Sequence, residues 1–133
     1  MKNTIEQIEN SYWGKPEYES YLVITCHELR KKNLNEFEVE DLRIMIGQNI
    51  ALPILIPMAI TELRKNIFAE GHFYEGDLLR NVLTSEKEFW DKHPHYKKEM
   101  IALLESNQEN IRNMDTTCEI ENSILNAIDA FSE

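Results

Sequence analysis

Apolar residues recur along this chain at helical spacing, and no stretch alternates as a half-buried strand would. Ile5, Ile8 and Tyr12 predict a short first helix with Thr4 as its N-cap. Trp13-Gly14-Lys15-Pro16 ends it, and Pro16 suits the first turn of a second helix running to about Lys32. On that helix Tyr18, Leu22, Cys26 and Leu29 form one stripe. Arg30-Lys31-Lys32 places cations at the negative end of its dipole, and Asn33 can close it. Val39, Leu42, Ile46 and Ile50 mark a third helix with an acidic first turn. Pro57 inside an established helix would clash with the Pro53 carbonyl. That predicts a break or kink between Ala51 and Pro57, then a fourth helix to about Lys65. Residues 52–60 are apolar nearly all round and are expected to be the most buried part of the fold.

Residues 67–76 read as a loop, and Leu78, Leu79, Val82 and Leu83 as a short fifth helix. Ser85-Glu86-Lys87-Glu88 matches a capping box and opens a short segment holding Phe89 and Trp90. Pro94 starts a long helix in which Tyr96, Met100, Leu103, Leu104, Asn107, Ile111 and Met114 keep helical spacing. Thr116-Thr117-Cys118-Glu119 is a second capping-box match, ahead of an amphipathic last helix with Ile120, Ile124, Ala127, Ile128 and Phe131. The expected architecture is all-α, a single irregular multi-helix domain of about six or seven helices over residues 1–133.

Charge narrows the classes of partner. The chain has 133 residues with 24 Asp and Glu against 14 Lys and Arg, a formal charge of −10. Nucleic acid and anionic membranes need Lys and Arg to meet phosphates, so neither is expected as the main partner. An acid excess favours solubility or a basic partner. The longest apolar run, the eleven residues 50–60, is broken by Pro53 and Pro57 and falls short of a membrane span. The start of the chain has no signal-peptide core, so a cytoplasmic protein is expected. Cys26 and Cys118 form no CxxC and are expected to be two buried or partly buried thiols in a reducing compartment.

No catalytic constellation emerges. His27, His72, His93 and His95 are scattered, and none lies in an HExxH spacing. Cys26 and His27 are neighbours, about 100° apart on a helix, so they do not pair. Gly14, Gly47, Gly71 and Gly76 fit no phosphate-cradling loop. The expectation is no enzyme, no metal and no cofactor.

The acids, however, cluster. Residues 36–41 hold four carboxylates in six positions, and the segment from 105 to the C-terminus holds seven acids and one base. Helix-dipole complementation also accounts for the first group, and a solvated face for the second. The third group surrounds an aromatic loop, Glu70-Gly71-His72-Phe73-Tyr74-Glu75-Gly76-Asp77. Aromatics beside carboxylates fit an interface anchor with a charged rim, and equally a plug holding the loop on the core. Arg43, Gln48 and Asn49 flank an apolar helix, and Arg43 is expected to pair with a carboxylate one helix away.

Tyr12-Trp13-Gly14, Ser20-Tyr21-Leu22-Val23, Cys26-His27-Glu28-Leu29-Arg30-Lys31-Lys32 and Val39-Glu40-Asp41-Leu42-Arg43-Ile44-Met45-Ile46-Gly47-Gln48-Asn49 resemble the immunity proteins of bacterial contact-dependent growth inhibition (CDI) systems. So do Leu55-Ile56-Pro57, residues 69–79 and Phe89-Trp90, a resemblance over about residues 9–104. The chain departs from the family pattern at Asn33, Glu38, His72 and Glu75, where Pro, Thr, Asp and Pro are expected. The resemblance implies a small cytoplasmic protein that binds the C-terminal toxin domain of its cognate effector and covers its active site or substrate surface. Such toxins are often nucleases, which are commonly basic because they hold phosphates. From charge and exposure, the candidate partner-binding residues are Glu70, Phe73, Tyr74, Glu75 and Asp77, then Glu36, Glu38 and Glu40. The alternative is a non-catalytic helical adaptor or regulatory subunit docking through residues 117–131.

Overall fold

The computed structural model describes residues 3–16 and 20–132. Among these are nine α-helices: α1 (Ile5–Glu9), α2 (Tyr21–Lys31), α3 (Val39–Gly47), α4 (Leu52–Lys65), α5 (Asp77–Leu83), α6 (Lys87–Lys92), α7 (Pro94–Ser106), α8 (Gln108–Arg112) and α9 (Cys118–Ser132). A 3₁₀ turn, Leu34–Glu36, joins α2 to α3. Among the described residues the only extended pairing is one antiparallel bridge, Glu70 with Glu75. The fold is all-α as expected, with more helices than the six or seven anticipated. Among the described residues no helix is long and apolar enough to cross a membrane.

Local signals placed several elements. Thr4 caps α1, its Oγ1 accepting from the Gln7 N–H at 3.2 Å. The α3 start is closed by Asp41, which accepts from the Glu38 N–H at 3.0 Å and from Lys32 Nζ at 2.7 Å. Elsewhere tertiary packing overrode the pattern. Pro16 does not start α2; Ser20 caps it, accepting from the Val23 N–H at 3.1 Å. Tyr18 lies outside the described residues. The expected stripe on α2 keeps Cys26 and Leu29 but loses Leu22 to solvent and gains Arg30. Arg30 turns inward, donating to Glu9 Oε1 at 2.5 Å and to the Ser11 carbonyl at 2.6 Å, with Trp13 over its guanidinium. Asn33 does not close α2; its Oδ1 accepts from the Asn35 N–H and starts the 3₁₀ turn.

The expected break between Ala51 and Pro57 falls earlier. The chain reverses at Asn49 and Ala51, both at positive φ (57° and 53°), and α4 then runs unbroken through Pro53 and Pro57. Pro53 sits in the first turn, where its missing N–H costs nothing. The carbonyl that Pro57 cannot bond belongs to exposed Pro53, within reach of water. Two capping boxes are also absent. Ser85 is buried instead, donating to the Val82 carbonyl at 2.6 Å and accepting from Trp90 Nε1 at 2.9 Å. On α9 the cap is Thr117, which accepts from the Ile120 N–H. Cys118, at the first position of α9, is exposed rather than partly buried, whereas Cys26 is buried and burial pushes its thiol pKa up. The long helix predicted over 94–114 divides at Asn107, whose Nδ2 closes the last turn of α7 by donating to the Leu103 carbonyl at 2.9 Å.

The buried side chains form one cluster centred on α3, α4 and α5. Leu52, Leu55, Ile56, Ala59 and Ile60 are buried along one face of α4, whereas Pro53 is exposed and Ile54, Pro57 and Met58 are half-buried, so the burial expected of residues 52–60 holds on that face and not all round. α9 packs on α5. Gly76 has φ 93°, and a Cβ there would lie 2.8 Å from Ile124 Cδ1, so glycine permits both the turn and the α9 contact.

Candidate functional site

The aromatic loop sits over α3 and is held down by two carboxylates. Asp77, the first residue of α5, is 2% exposed. Its Oδ1 accepts from the Gly71 N–H at 2.8 Å, and its Oδ2 accepts from the N–H groups of Phe73 (3.1 Å) and Tyr74 (3.4 Å). Glu40 reaches across from α3: its Oε1 accepts from the His72 N–H at 2.9 Å. Both Glu40 oxygens also take Arg43, from Nε and Nη2, each at 2.6 Å. Arg43 Nε lies 3.8 Å from Asp77 Oδ2, the inter-helix pair anticipated for Arg43. A Cβ at Gly71 would lie 2.5 Å from Glu40 Oε1 and 3.1 Å from Asp77 Oδ2, so a side chain there would push on the two carboxylates that hold the loop.

The electrostatics follow from these bonds. The Arg43 hydrogen bonds hold the Glu40 carboxyl below the usual Glu range, helped by the His72 N–H and opposed by burial. The same pairing raises the Arg43 pKa. A carboxyl depressed in the folded state stabilises fully above its unfolded pKa, about 4.3, and the contribution vanishes as pH falls through the lower folded value. Acidification from about pH 5 downward is therefore expected to loosen the loop. Thermal melts across that range should show a smaller acid-side loss of stability in Glu40→Gln than in wild type; equal slopes would remove Glu40 from this role.

The predicted partner-binding residues separate into two groups. Glu70, Phe73, Glu75, Glu36 and Glu38 are exposed, Phe73 by 70%. Tyr74 is half-buried against the core, Asp77 is buried, and Glu40 is spent on Arg43 and the loop backbone. Phe73 and Tyr74 thus divide the two roles that sequence left open: Tyr74 plugs the loop onto the core and Phe73 stands out from it. Beneath Phe73 lies the Arg43 guanidinium, 4.0 Å from the ring centroid.

Phe73 borders an open cleft of about 530 Å³ lined also by Tyr21, Leu22, Glu40, Arg43, His72 and Arg80. Three of the large apolar side chains exposed among the described residues, Tyr21 (79%), Leu22 (41%) and Phe73, converge here. Sequence reasoning missed Tyr21, Leu22 and Arg80. The inward stripe assigned to α2 hid Leu22 and passed over Tyr21, and a basic residue in the last turn of α5 reads as ordinary dipole complementation. Among the described residues no group of three or more His, Cys, Asp or Glu is placed to hold a metal ion.

Residues 7–100 match the model of a family described as CDI immunity proteins. No curated protein and no solved structure matches the chain. The match takes in every residue of the cleft, whereas α8 and α9 lie beyond it. A larger groove of about 640 Å³ between α7, α8 and α9 is lined wholly by residues outside the match, so the cleft beside Phe73 is the better candidate.

Proposed function

The chain belongs to the CDI immunity protein family, and from that premise we propose that it binds the cognate C-terminal toxin domain of a contact-dependent growth inhibition effector and neutralises it. It acts in the cytoplasm as a non-catalytic inhibitor without a cofactor, covering the toxin's active site or substrate surface. The observation that carries the placement of the interface is the convergence of Tyr21, Leu22 and Phe73 on one cleft. Exposed aromatics around a concave centre are the usual anchors of a protein interface. Glu70 and Glu75 on the loop, with Glu36 and Glu38 ahead of α3, supply an exposed acidic rim. A basic nuclease domain is the toxin that this rim and the −10 charge favour.

Two kinds of substitution test this. Reversing the rim, Glu70→Lys with Glu75→Lys and Glu36→Lys with Glu38→Lys, is expected to slow association with the toxin domain by roughly tenfold at low salt and to flatten its salt dependence. Phe73→Ala is expected to speed dissociation by roughly 30-fold, a typical aromatic anchor. Stopped-flow or biolayer measurements over a salt series read both. Unchanged binding and unchanged salt dependence in the rim variants would sink the charge reading, and wild-type affinity in Phe73→Ala would sink the cleft.

A further inference from the structure

We infer that the centre of this cleft receives an acidic side chain of the partner, so that the interface is two-signed, with carboxylates of this chain at the rim and guanidinium groups in the middle. The inference rests on the cleft being the toxin-binding surface. Whole-chain charge argues for a basic partner, but the cleft lining runs the other way. Its charged residues are the two arginines Arg43 and Arg80 and a single carboxylate, Glu40, with His72 beside them. Glu40 is already saturated: both oxygens bond Arg43, and Oε1 also takes the His72 N–H. It has little left to offer a cation from outside.

The Arg80 guanidinium is in the opposite condition. Arg80 is exposed, and among the described residues no hydrogen bond or ion pair engages its guanidinium. Arg43, by contrast, already spends Nε and Nη2 on Glu40, and among the described residues no hydrogen bond engages its Nη1. The Phe73 ring covers one face of Arg43, and Tyr21 and Leu22 line the same cleft. A partner that seats against these apolar groups excludes water from the guanidinium groups beside them. An arginine desolvated without a carboxylate opposite is costly, and one met by a carboxylate through paired N–H donors is a strong, directional contact. The occupant that satisfies both halves of the lining is an Asp or Glu flanked by an apolar residue on the partner surface.

The test compares wild type, Arg80→Gln, Arg80→Glu and Phe73→Ala for affinity to the cognate toxin domain, with thermal melts to verify folding. Arg80 is exposed, so its variants are expected to fold. Loss of the guanidinium in Arg80→Gln should weaken binding roughly tenfold, and reversal in Arg80→Glu roughly a hundredfold, mainly through faster dissociation that persists at high salt. An Asp→Lys or Glu→Lys change at one surface position of the toxin domain should restore binding to Arg80→Glu. If Arg80→Glu binds as tightly as wild type, or tighter, while Phe73→Ala binds weakly, the cleft is the interface but takes no acid, and this inference alone fails. If Phe73→Ala also binds as wild type, the placement of the interface fails with it.

Discussion

A chain ending at Asp115 is expected not to fold. That truncation removes α9, which buries Ile124 (0% exposed), Ala127 and Phe131 against the rest of the core. Ile124 fills the space left open by Gly76, and Phe131 meets Trp90 edge to face at 4.9 Å between centroids. Replacing Ile124 and Phe131 by alanine would each cost about 3 kcal/mol or more, and deleting the helix also uncovers the surface it hides on α5. Those losses together approach the whole stability of a small domain, about 5–15 kcal/mol. Circular dichroism and a urea melt on the truncated chain would read this. A cooperative melt near that of the full chain would instead mark α9 as an appendage, and loss of one partner with folding intact would favour the adaptor function for which residues 117–131 were the candidate docking element.

The second large effect belongs to Asp77. Asp77→Ala deletes the acceptor for three backbone N–H groups and one of the two carboxylates facing Arg43. These donors lie close to a buried position, where unmade bonds are expensive, so the expected cost is about 2–4 kcal/mol. Toxin binding is expected to fall with it although Asp77 never reaches the surface, because the loop that aims Phe73 loses its tether. Hydrogen exchange separates this from general unfolding. The amides of Gly71, Phe73 and Tyr74 should lose protection while those of α3 and α4 keep theirs. Protected loop amides in the variant would show that the loop is held by something other than Asp77.

Glu75 and Asp77 illustrate what could be read along the chain and what could not. Both are acids in one aromatic loop, two residues apart, and nothing local distinguishes them. One is exposed and the other is buried under three amides. Phe73 and Tyr74 divide in the same way. The loop as a whole was legible as unusual, through its aromatics, acids and glycines; which of its side chains face a partner was not. Tyr21 and Leu22 were missed for a related reason. Periodicity identifies that α2 is amphipathic, but which arc of it is covered depends on where α1 and α3 pack against it.

By itself, the sequence determined the all-helical class, the N-cap of α1, the short helix that follows the loop, the buried face within residues 52–60, and membership of a family whose model matches residues 7–100. Those properties follow from spacing, capping and residue type, which act within one or two turns. Only the tertiary structure decided that Arg30 and Ser85 turn inward, that Glu40 and Asp77 are consumed in holding a loop, and that Tyr21, Leu22, Phe73, Arg43 and Arg80 share one cleft. Burial and ion pairing are settled between segments far apart in the chain, where packing and the cost of unpaired polar groups outweigh local preference.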